Sequence, residues 1–192
     1  MNKVIVVGAG GFGRSVADAI LASGTHALVG FADERWPDMP PVWDYPVLGK
    51  GSQLPLLREL AGAVVIAIGH NMNRRAAFEA AREAGFRLLT VVHPRAIVSP
   101  RAFVGDGAVI MAGAVIGCDA RLGDGVIINA GAVVDHDCEV GAFAHLGIGA
   151  CMPGGARLGD HAWLQEACAL APGQRVPAGA VVTAARMDGR TA

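Results

Sequence analysis

The stretch VSPRAFVGDGAVIMAGAVIGCDARLGDGVI, residues 98–127, predicts the fold of the second half of this chain. It divides into five hexads that each begin with an aliphatic residue, and every sixth residue stays apolar as far as Val182. Four residues after each of these positions stands a second residue that is small or apolar, except at Gln174 and Arg186. A period of six fits neither a helix nor an alternating strand, and it is typical of a hexapeptide β-helix. The apolar positions are Val98, Val104, Ile110, Ile116, Leu122, Ile128, Val134, Val140, Leu146, Met152, Leu158, Leu164, Leu170, Val176 and Val182.

Residues 1–92 have a different pattern, in which short apolar runs alternate with helical stretches. This alternation predicts an α/β domain with a small parallel sheet of about four strands. A proline-rich segment, residues 34–47, is expected to form a structured loop or a lid. His93-Pro94 ends the pattern, so the predicted domains are 1–92 and 93–192. The predicted strands are 3–7, 28–31, 64–68 and 86–92, and the predicted helices are 14–23 and 73–84.

A glycine loop, Gly8-Ala9-Gly10-Gly11-Phe12-Gly13, connects the first strand to the first helix. Glycines at this place let backbone N–H groups and a helix N-terminus approach a phosphate. Asp33, at the end of the second strand, could hold ribose hydroxyls. The motif therefore predicts a nucleotide-sugar site. Two alternatives stay open, namely NAD binding and a purely structural turn, and the small sheet argues against a site for a whole dinucleotide.

The segment Asp135-His136-Asp137 stands out within the repeats. His136 comes two residues after an inward apolar position, so its side chain should point off the β-helix. A histidine beside a carboxylate can be held in one tautomer and accept a proton near neutral pH. The alternative is a solvated surface histidine between two acids. Asn129 and His145 are about a third and a half of a turn away, so a neighbouring face or subunit must bring them to His136.

Composition narrows the class of protein. The formal net charge of −1 gives no basic footprint for nucleic acid, and no apolar run approaches the roughly 20 residues of a membrane span. Residues 1–4 show no cleavable signal layout. The four cysteines lack metal-binding spacing, so we predict no metal and a reducing cytoplasm. A hydrophobic content of 53% predicts an oligomer.

With these motifs the chain resembles the sugar O/N-acyltransferases that join a small Rossmann-like domain to a left-handed parallel β-helix. That group includes UDP-4-amino-sugar and perosamine N-acetyltransferases and sialic-acid O-acetyltransferases. The resemblance rests on the glycine loop, on FADE at 31–34, on IAIGHN at 66–71, on VVHPRAIVSPRA at 91–102 and on INAGAVVDHDCEVGAFAHLGIGA at 128–150.

The resemblance implies roles for individual residues. His136 is the expected catalytic base and Asp137 the acid that orients it. His145 is expected near the thioester of acetyl-CoA, and the backbone N–H of Gly154 is expected to meet the oxyanion. The residues expected to hold the acceptor sugar-nucleotide are Gly8, Gly10, Gly11, Gly13, Asp33, Asn71 and Asn129.

Two departures from the family pattern concern ligand binding. Many relatives have GxSGHG in the glycine loop, where this chain has Gly10-Gly11 and Phe12. After Val182 the chain also lacks the final turn and tail that relatives carry, which affects the outer part of the coenzyme A site.

The resemblance implies an acetyl-CoA-dependent, metal-free N-acetyltransferase. It would act on the amine of a nucleotide-linked deoxy-amino-sugar, of the UDP-4-amino-sugar or GDP-perosamine type, in bacterial surface glycan synthesis. A homotrimer would bind the donor between neighbouring β-helices. The alternatives are a sialic-acid-type sugar O-acetyltransferase and a non-catalytic β-helix binding protein.

Overall fold

A computed structural model describes residues 2–183 of the 192-residue chain, so Arg186 and the C-terminal tail lie outside the described residues. The first domain is a five-stranded parallel sheet in the order β3-β2-β1-β4-β5, with α1, α2 and a short 3₁₀ helix (Gly51–Leu57) packed against it. Its elements are β1 (Asn2–Val7), α1 (Gly11–Ser23), β2 (His26–Ala32), β3 (Val47–Gly49), β4 (Ala63–Ile66), α2 (Asn71–Glu83) and β5 (Arg87–Leu88).

The sheet differs from the predicted one in two places. The prediction of about four strands was wrong by one edge strand, because β3 is a three-residue strand beside the proline-rich segment and has no alternating pattern of its own. The predicted strand 86–92 is two strands: β5 pairs with β4, whereas β6 (Val91–Val92) pairs with Val109–Ile110 and so belongs to the β-helix. A continuous apolar run cannot reveal that its two ends join different sheets.

The proline-rich segment is structured, as predicted. Val42 is buried in the core of the first domain, and Met39 and Tyr45 pack against that core. Val42 and Tyr45 also exchange two backbone hydrogen bonds of 2.9 Å.

The second domain is the predicted β-helix, a triangular prism whose two-residue strands pair with strands 18 residues away. The fold class is confirmed. Face 1 comprises Val91–Val92, Val109–Ile110, Ile127–Ile128, His145–Leu146, Trp163–Leu164 and Val181–Val182. Face 2 comprises Ile97–Val98, Val115–Ile116, Val133–Val134 and Cys151–Met152. Face 3 comprises Phe103–Val104, Arg121–Leu122, Glu139–Val140, Arg157–Leu158 and Arg175–Val176.

The hexad residues point inward, as predicted. Ile110 through Val176 in this series are buried, and the terminal members Val98, Val104 and Val182 pack against them while partly exposed. The second series fills the corners of the same core, whereas Gln174 is exposed. This continuous apolar core stabilises the prism, because each coil buries its inward residues against the coils above and below.

The first domain packs on the outer side of face 1. Val109 and Ile127, which point outward there, are fully buried, and Val109 joins the core of the first domain. Phe143, at the turn that leads into face 1, contacts Phe78 of α2 edge-to-face, with 5.2 Å between ring centroids. Face 1 is therefore covered within one chain, while faces 2 and 3 stay open.

Faces 2 and 3 differ in chemistry. The outward residues of face 2 are apolar, and Ile97 among them is 67% exposed. The outward residues of face 3 are Phe103, Arg121, Glu139, Arg157 and Arg175. No helix among residues 2–183 is long and apolar enough to cross a membrane.

Candidate active site

The four glycines of the loop divide into two pairs. A Cβ on Gly8, whose φ is +103°, would lie 2.7 Å from the carbonyl oxygen of Ala67, and a Cβ on Gly13 would collide with the carbonyl oxygen of Gly8. These two glycines are required by the fold. Gly10, the N-cap of α1, and Gly11 have nothing within 4 Å of that position. Only this second pair presents open backbone to a ligand.

Asp33, which follows β2, is hydrogen-bonded to the glycine loop. Its carboxylate accepts hydrogen bonds from the backbone N–H of Ala9 at 2.8 Å and from the Arg35 guanidinium at 2.8 and 3.0 Å. Arg35 is the main cause that lowers the pKa of Asp33 to about 2. The carboxylate is therefore ionised at neutral pH, and its remaining lone pairs can accept from a ligand hydroxyl.

Two cavities lie at the two ends of the loop. The first, of about 530 Å³, opens at the carboxyl ends of β1 and β2, where ligands of α/β sheets bind. Its polar lining comes from Asp33, Glu34, Ser52 and Asn73. The second, of about 400 Å³, lies between α1 and the prism and is lined by Gly11, Arg14, Ser15, Trp43, His93 and Met111. A ligand that crosses Gly10 and Gly11 can therefore occupy both.

His136 lies at the corner between faces 2 and 3, and its side chain is 56% exposed, as predicted. Its Nδ1 is 2.9 Å from Oδ2 of Asp137, and its Nε2 is 3.8 Å from Oδ2 of Asp135. The hydrogen bond to Asp137, followed by the charge of Asp135, raises the pKa of His136. When Nδ1–H donates to Asp137, Nε2 is left as a free acceptor, which is the state that a general base needs.

Gly154 lies one coil above His136, since the two residues are 18 apart. A Cβ there would come within 2.6 Å of Cε1 and Nε2 of the imidazole. The backbone N–H of Gly154 finds no acceptor among residues 2–183, so it is free to donate to a ligand beside the ring. The absence of a side chain at Gly154 thus leaves the space that the imidazole occupies.

His145 lies elsewhere, on the outward side of face 1 beneath the first domain. It is 8% exposed and stacks on Trp163, its neighbour in the next coil, with 5.6 Å between ring centroids. Burial, followed by the charge of Arg74, lowers the pKa of His145 to about 4, so the imidazole is neutral. Its Nε2 and the Nε1 of Trp163 are buried without a partner among the described residues.

Asn71 and Arg74 join the two domains. Arg74 is 1% exposed and donates to backbone carbonyls on both sides, among them Gly69 of the first domain and Gly125 and Phe143 of the prism. Asn71 donates from Nδ2 to the carbonyl of His161 at 2.8 Å and accepts from Arg74 at 2.9 Å. The Asn71 side chain thus has a structural role, and its contact with substrate stays a prediction.

The structure therefore brings only some of the predicted residues together. The glycine loop and Asp33 form one cluster, and His136, Asp137 and Gly154 form another. Asn129, whose side chain accepts from the N–H of Ala130, lies at the corner between faces 1 and 2. His136 lies at the corner opposite the face that the first domain covers, so the two clusters of one chain cannot meet.

Sequence reasoning missed Arg74, Trp163 and the pair formed by Glu34 and Ser52. Ser52 donates to the Glu34 carboxylate from its backbone N–H at 2.6 Å and from its hydroxyl at 3.0 Å, at the wall of the larger cavity. The 18-residue period could have found Trp163 from His145. No pattern in the sequence distinguishes Arg74 from Arg75. Among residues 2–183, no three His, Cys, Asp or Glu side chains group as metal ligands.

Comparisons with known proteins match both domains. The family model for the PglD N-terminal domain covers residues 3–81, and that for bacterial transferase hexapeptide repeats covers residues 101–136. The acetyltransferase domain of PglB from Neisseria gonorrhoeae, solved with acetyl coenzyme A, is 37% identical with a TM-score of 0.89 over 94% of this chain and 87% of that one. PerB from Caulobacter crescentus, solved with CoA and GDP-perosamine, is 37% identical with a TM-score of 0.75 over 95% and 89%.

A curated relative, the UDP-N-acetylbacillosamine N-acetyltransferase of Bacillus subtilis, is 32% identical over 114 residues, which is 58% of this chain and 52% of the relative. The chain thus matches about half the length of that relative. The fold and the family models together define a bacterial hexapeptide-repeat transferase with a PglD-type N-terminal domain. The chain belongs to the sugar O/N-acyltransferase family, as its sequence predicted.

Proposed function

We propose that this protein transfers an acetyl group from acetyl-CoA to the amine of a nucleotide-linked deoxy-amino-sugar in the cytoplasm. The acceptor is of the UDP-4-amino-sugar or GDP-perosamine type, and the product serves bacterial surface glycan synthesis. The observation that carries the proposal is the His136–Asp137 pair, because its 2.9 Å hydrogen bond leaves Nε2 exposed as a base. The relatives bound to acetyl-CoA, or to CoA and GDP-perosamine, support the two substrates.

In this reaction the amine nitrogen attacks the thioester carbonyl carbon. A C–N bond forms, Nε2 of His136 accepts a proton from the amine, and the developing oxyanion accepts a hydrogen bond from the N–H of Gly154. The C–S bond then breaks, and the proton goes to the CoA thiolate. Asp137 holds the tautomer and balances the charge of the imidazolium. Positioning, a base and an oxyanion donor are sufficient for this step.

The first domain supplies the acceptor site. The diphosphate lies over Gly10 and Gly11 at the N-terminus of α1, where backbone N–H groups favour an anion. The nucleoside occupies the larger cavity, with its ribose at Asp33, and the sugar enters the smaller cavity beside the prism. This Rossmann-like placement agrees with the open space at these two glycines alone.

The active site is shared between subunits of a homotrimer. The outward side of face 2 is apolar and partly exposed, so it packs at the three-fold axis. With face 2 at the axis, the corner of one subunit that carries Asn129 meets the corner of the next that carries His136. The second cavity, at Met111 in the former corner, then faces the neighbour's catalytic base. The donor lies in the groove between them.

The test is an acetylation assay with UDP-4-amino-sugars, GDP-perosamine and sialic acid as acceptors. We expect turnover with a nucleotide amino-sugar. In Gly10→Val we expect the acceptor KM to rise at least about tenfold, because the side chain occupies the space of the diphosphate. Gly62→Val, at an exposed glycine far from the loop, is the matched control and should behave as wild type. Acetylation of sialic acid alone would establish the O-acetyltransferase, and no turnover would favour the binding protein.

The shared site predicts complementation between inactive variants. Gly10→Val removes the acceptor site, and His136→Ala removes the base. Trimers co-assembled from equal amounts of the two variants contain sites with an intact loop from one subunit and an intact His136 from the next. Random assembly should restore about a quarter of the wild-type rate at low acceptor concentration. Activity no higher than that of the separate variants would place both clusters in one subunit, against the proposed trimer.

A further inference from the structure

The proline-rich segment, residues 34–47, contains a tight turn that the proposed chemistry does not use. Val42 and Tyr45 exchange two backbone hydrogen bonds, so Trp43 and Asp44 are the two central residues of the turn. Trp43 has a φ of +53°. Hairpin turns with a positive φ at the first central residue typically carry glycine, asparagine or aspartate there, because a larger side chain is unfavourable in that conformation. A tryptophan at this position is therefore exceptional for its backbone.

Packing in the core does not explain why the turn carries a tryptophan. Phe143 has a similar φ of +57°, but its ring is buried between the two domains, where its contacts offset the backbone strain. Trp43, by contrast, is 52% exposed. The buried Val42 and the backbone hydrogen bonds of Tyr45 hold the turn in place instead. A strained residue whose own side chain is not held by the core is typical of a ligand-binding position.

Trp43 forms part of the wall of the smaller cavity, the one of about 400 Å³ between α1 and the prism. Gly11, at the open N-terminus of α1, and Met111 of the prism line the same cavity. His93 supplies a polar group there. Its Nδ1 accepts a hydrogen bond from the backbone N–H of Arg95 at 3.0 Å, so the ring carries its proton on Nε2, which can donate to a ligand. The cavity thus combines an aromatic surface with hydrogen-bonding groups, as small-molecule sites do.

We propose that the indole of Trp43 is the surface on which the sugar of the nucleotide-linked acceptor stacks, and that Nε2–H of His93 donates to a hydroxyl at the edge of that sugar. The inference rests on the proposed function, because it takes the diphosphate to lie over Gly10 and Gly11, from which the sugar continues into the smaller cavity. A pyranose presents C–H groups on its faces and hydroxyls at its edge. A flat indole buries the C–H groups, and a polar donor pairs with the hydroxyls.

Stacking on Trp43 also selects among sugars. Each hydroxyl that is replaced by hydrogen enlarges the apolar surface of the pyranose and removes a polar group that would lose its water against the indole. The wild type should therefore bind a deoxy-amino-sugar about tenfold more tightly than the fully hydroxylated amino-sugar on the same nucleotide. In Trp43→Ala the two dissociation constants should become nearly equal.

Calorimetry without acetyl-CoA tests the stacking separately from catalysis. The ligands are the nucleotide sugar that the wild type binds, GDP-perosamine or a UDP-4-amino-sugar, and the corresponding free diphosphate, GDP or UDP. In Trp43→Ala the dissociation constant of the nucleotide sugar should rise about tenfold or more, while that of the free diphosphate stays as in the wild type. Trp36→Ala is the matched control and should change neither constant, because Trp36 is also exposed in the same segment but lines neither cavity.

Two further substitutions separate the loss of the ring from damage to the fold. Trp43→Phe keeps an aromatic surface and should retain most of the affinity for the nucleotide sugar. Trp43→Gly removes both the ring and the backbone strain, whereas Trp43→Ala keeps the Cβ that a φ of +53° disfavours. Trp43→Gly should therefore melt about 2–4 °C higher than Trp43→Ala and still bind the nucleotide sugar as weakly.

Three results would overturn the inference: an unchanged dissociation constant of the nucleotide sugar in Trp43→Ala, an equal loss for the free diphosphate, or dissociation of the oligomer of Trp43→Ala on sedimentation, which would place the indole in a subunit contact. These results differ from a failure of the proposed function. If the nucleotide sugar binds through Trp43 but is not acetylated, the sugar site stands and the proposed reaction falls. If acetylation proceeds and Trp43→Ala binds the nucleotide sugar as the wild type does, the reaction stands and the sugar site falls.

Discussion

His136→Ala is expected to lower kcat by about 10²–10⁴-fold, the usual cost of removing a general base. The amine is largely protonated at neutral pH, and His136→Ala removes the imidazole that accepts its proton. The dissociation constant of CoA should change little, because the proposed role of the imidazole is to accept the proton of the amine and not to hold the donor. Steady-state kinetics with a confirmed acceptor, together with calorimetry of CoA, measure the two quantities separately. His26→Ala, at a half-buried histidine of the first domain, is the matched control.

The pH profile adds a readout that a structural role of His136 would not give. Asp137 is the main cause that raises the pKa of His136. A general base must be neutral, so kcat/KM falls as the pH drops through this pKa. Asp137→Asn removes the anionic partner, lowers the pKa of His136 and should move the acidic limb of the profile to lower pH, with a smaller loss of rate than in His136→Ala. A wild-type rate in His136→Ala would reject the assignment of His136 as the base.

Arg74→Ala is expected to lower the free energy of unfolding by about 3–5 kcal/mol, because it removes a buried guanidinium that bonds carbonyls of both domains. Burial lowers the pKa of Arg74 to about 9, which leaves it charged at neutral pH. Truncation leaves several buried carbonyls without a donor and opens a cavity between α2 and the prism. For a chain of this size the melting temperature should fall by about 10 °C.

The neighbouring arginine supplies the control. Arg75 follows Arg74 on α2, but it is exposed and pairs with Glu79 at 2.7 Å. Arg75→Ala should leave the melting temperature nearly unchanged, since exposed pairs contribute little. Arg74→Lys keeps the charge but cannot reach several carbonyls at once, so its melting temperature should lie between those of Arg74→Ala and the wild type. Equal melting temperatures for Arg74→Ala and Arg75→Ala would show that the buried contacts do not stabilise the domain interface.

The fold of the prism could be predicted from the sequence, because the same short pattern is repeated in every coil. Each hexad places one residue inward and one at a corner, so Val98 and Val182 obey the same rule as Ile128 between them. The position of the glycine loop could also be predicted from the sequence. Gly8 and Gly13 mark it, since they occupy positions where a side chain does not fit. The exposed His136 with its acidic neighbours followed from the same period. These features depend on residues close in sequence or at fixed multiples of six.

Some contacts follow from the period of the whole coil, which is three times the hexad. Gly154 lies one coil, 18 residues, beyond His136, and Trp163 stands in the same relation to His145. Counting in turns of 18 places the members of each pair side by side, whereas counting in hexads does not. The division of the glycine loop into two structural and two open residues needed the neighbouring carbonyls of Gly8 and Ala67, which the sequence does not position.

Only the tertiary structure shows how the two domains are joined and on which face of the prism each candidate site residue lies. Arg74 and Asn71 meet the prism through backbone carbonyls, and a carbonyl acceptor carries no sequence signature because every residue has one. The packing of the first domain on face 1 likewise depends on contacts between side chains more than 60 residues apart in sequence, such as Phe78 and Phe143. Periodicity determines which way a residue points within its own coil. Long-range packing determines which residues lie against that side chain. For this reason the side chain of His145 is buried, whereas that of His136 is exposed.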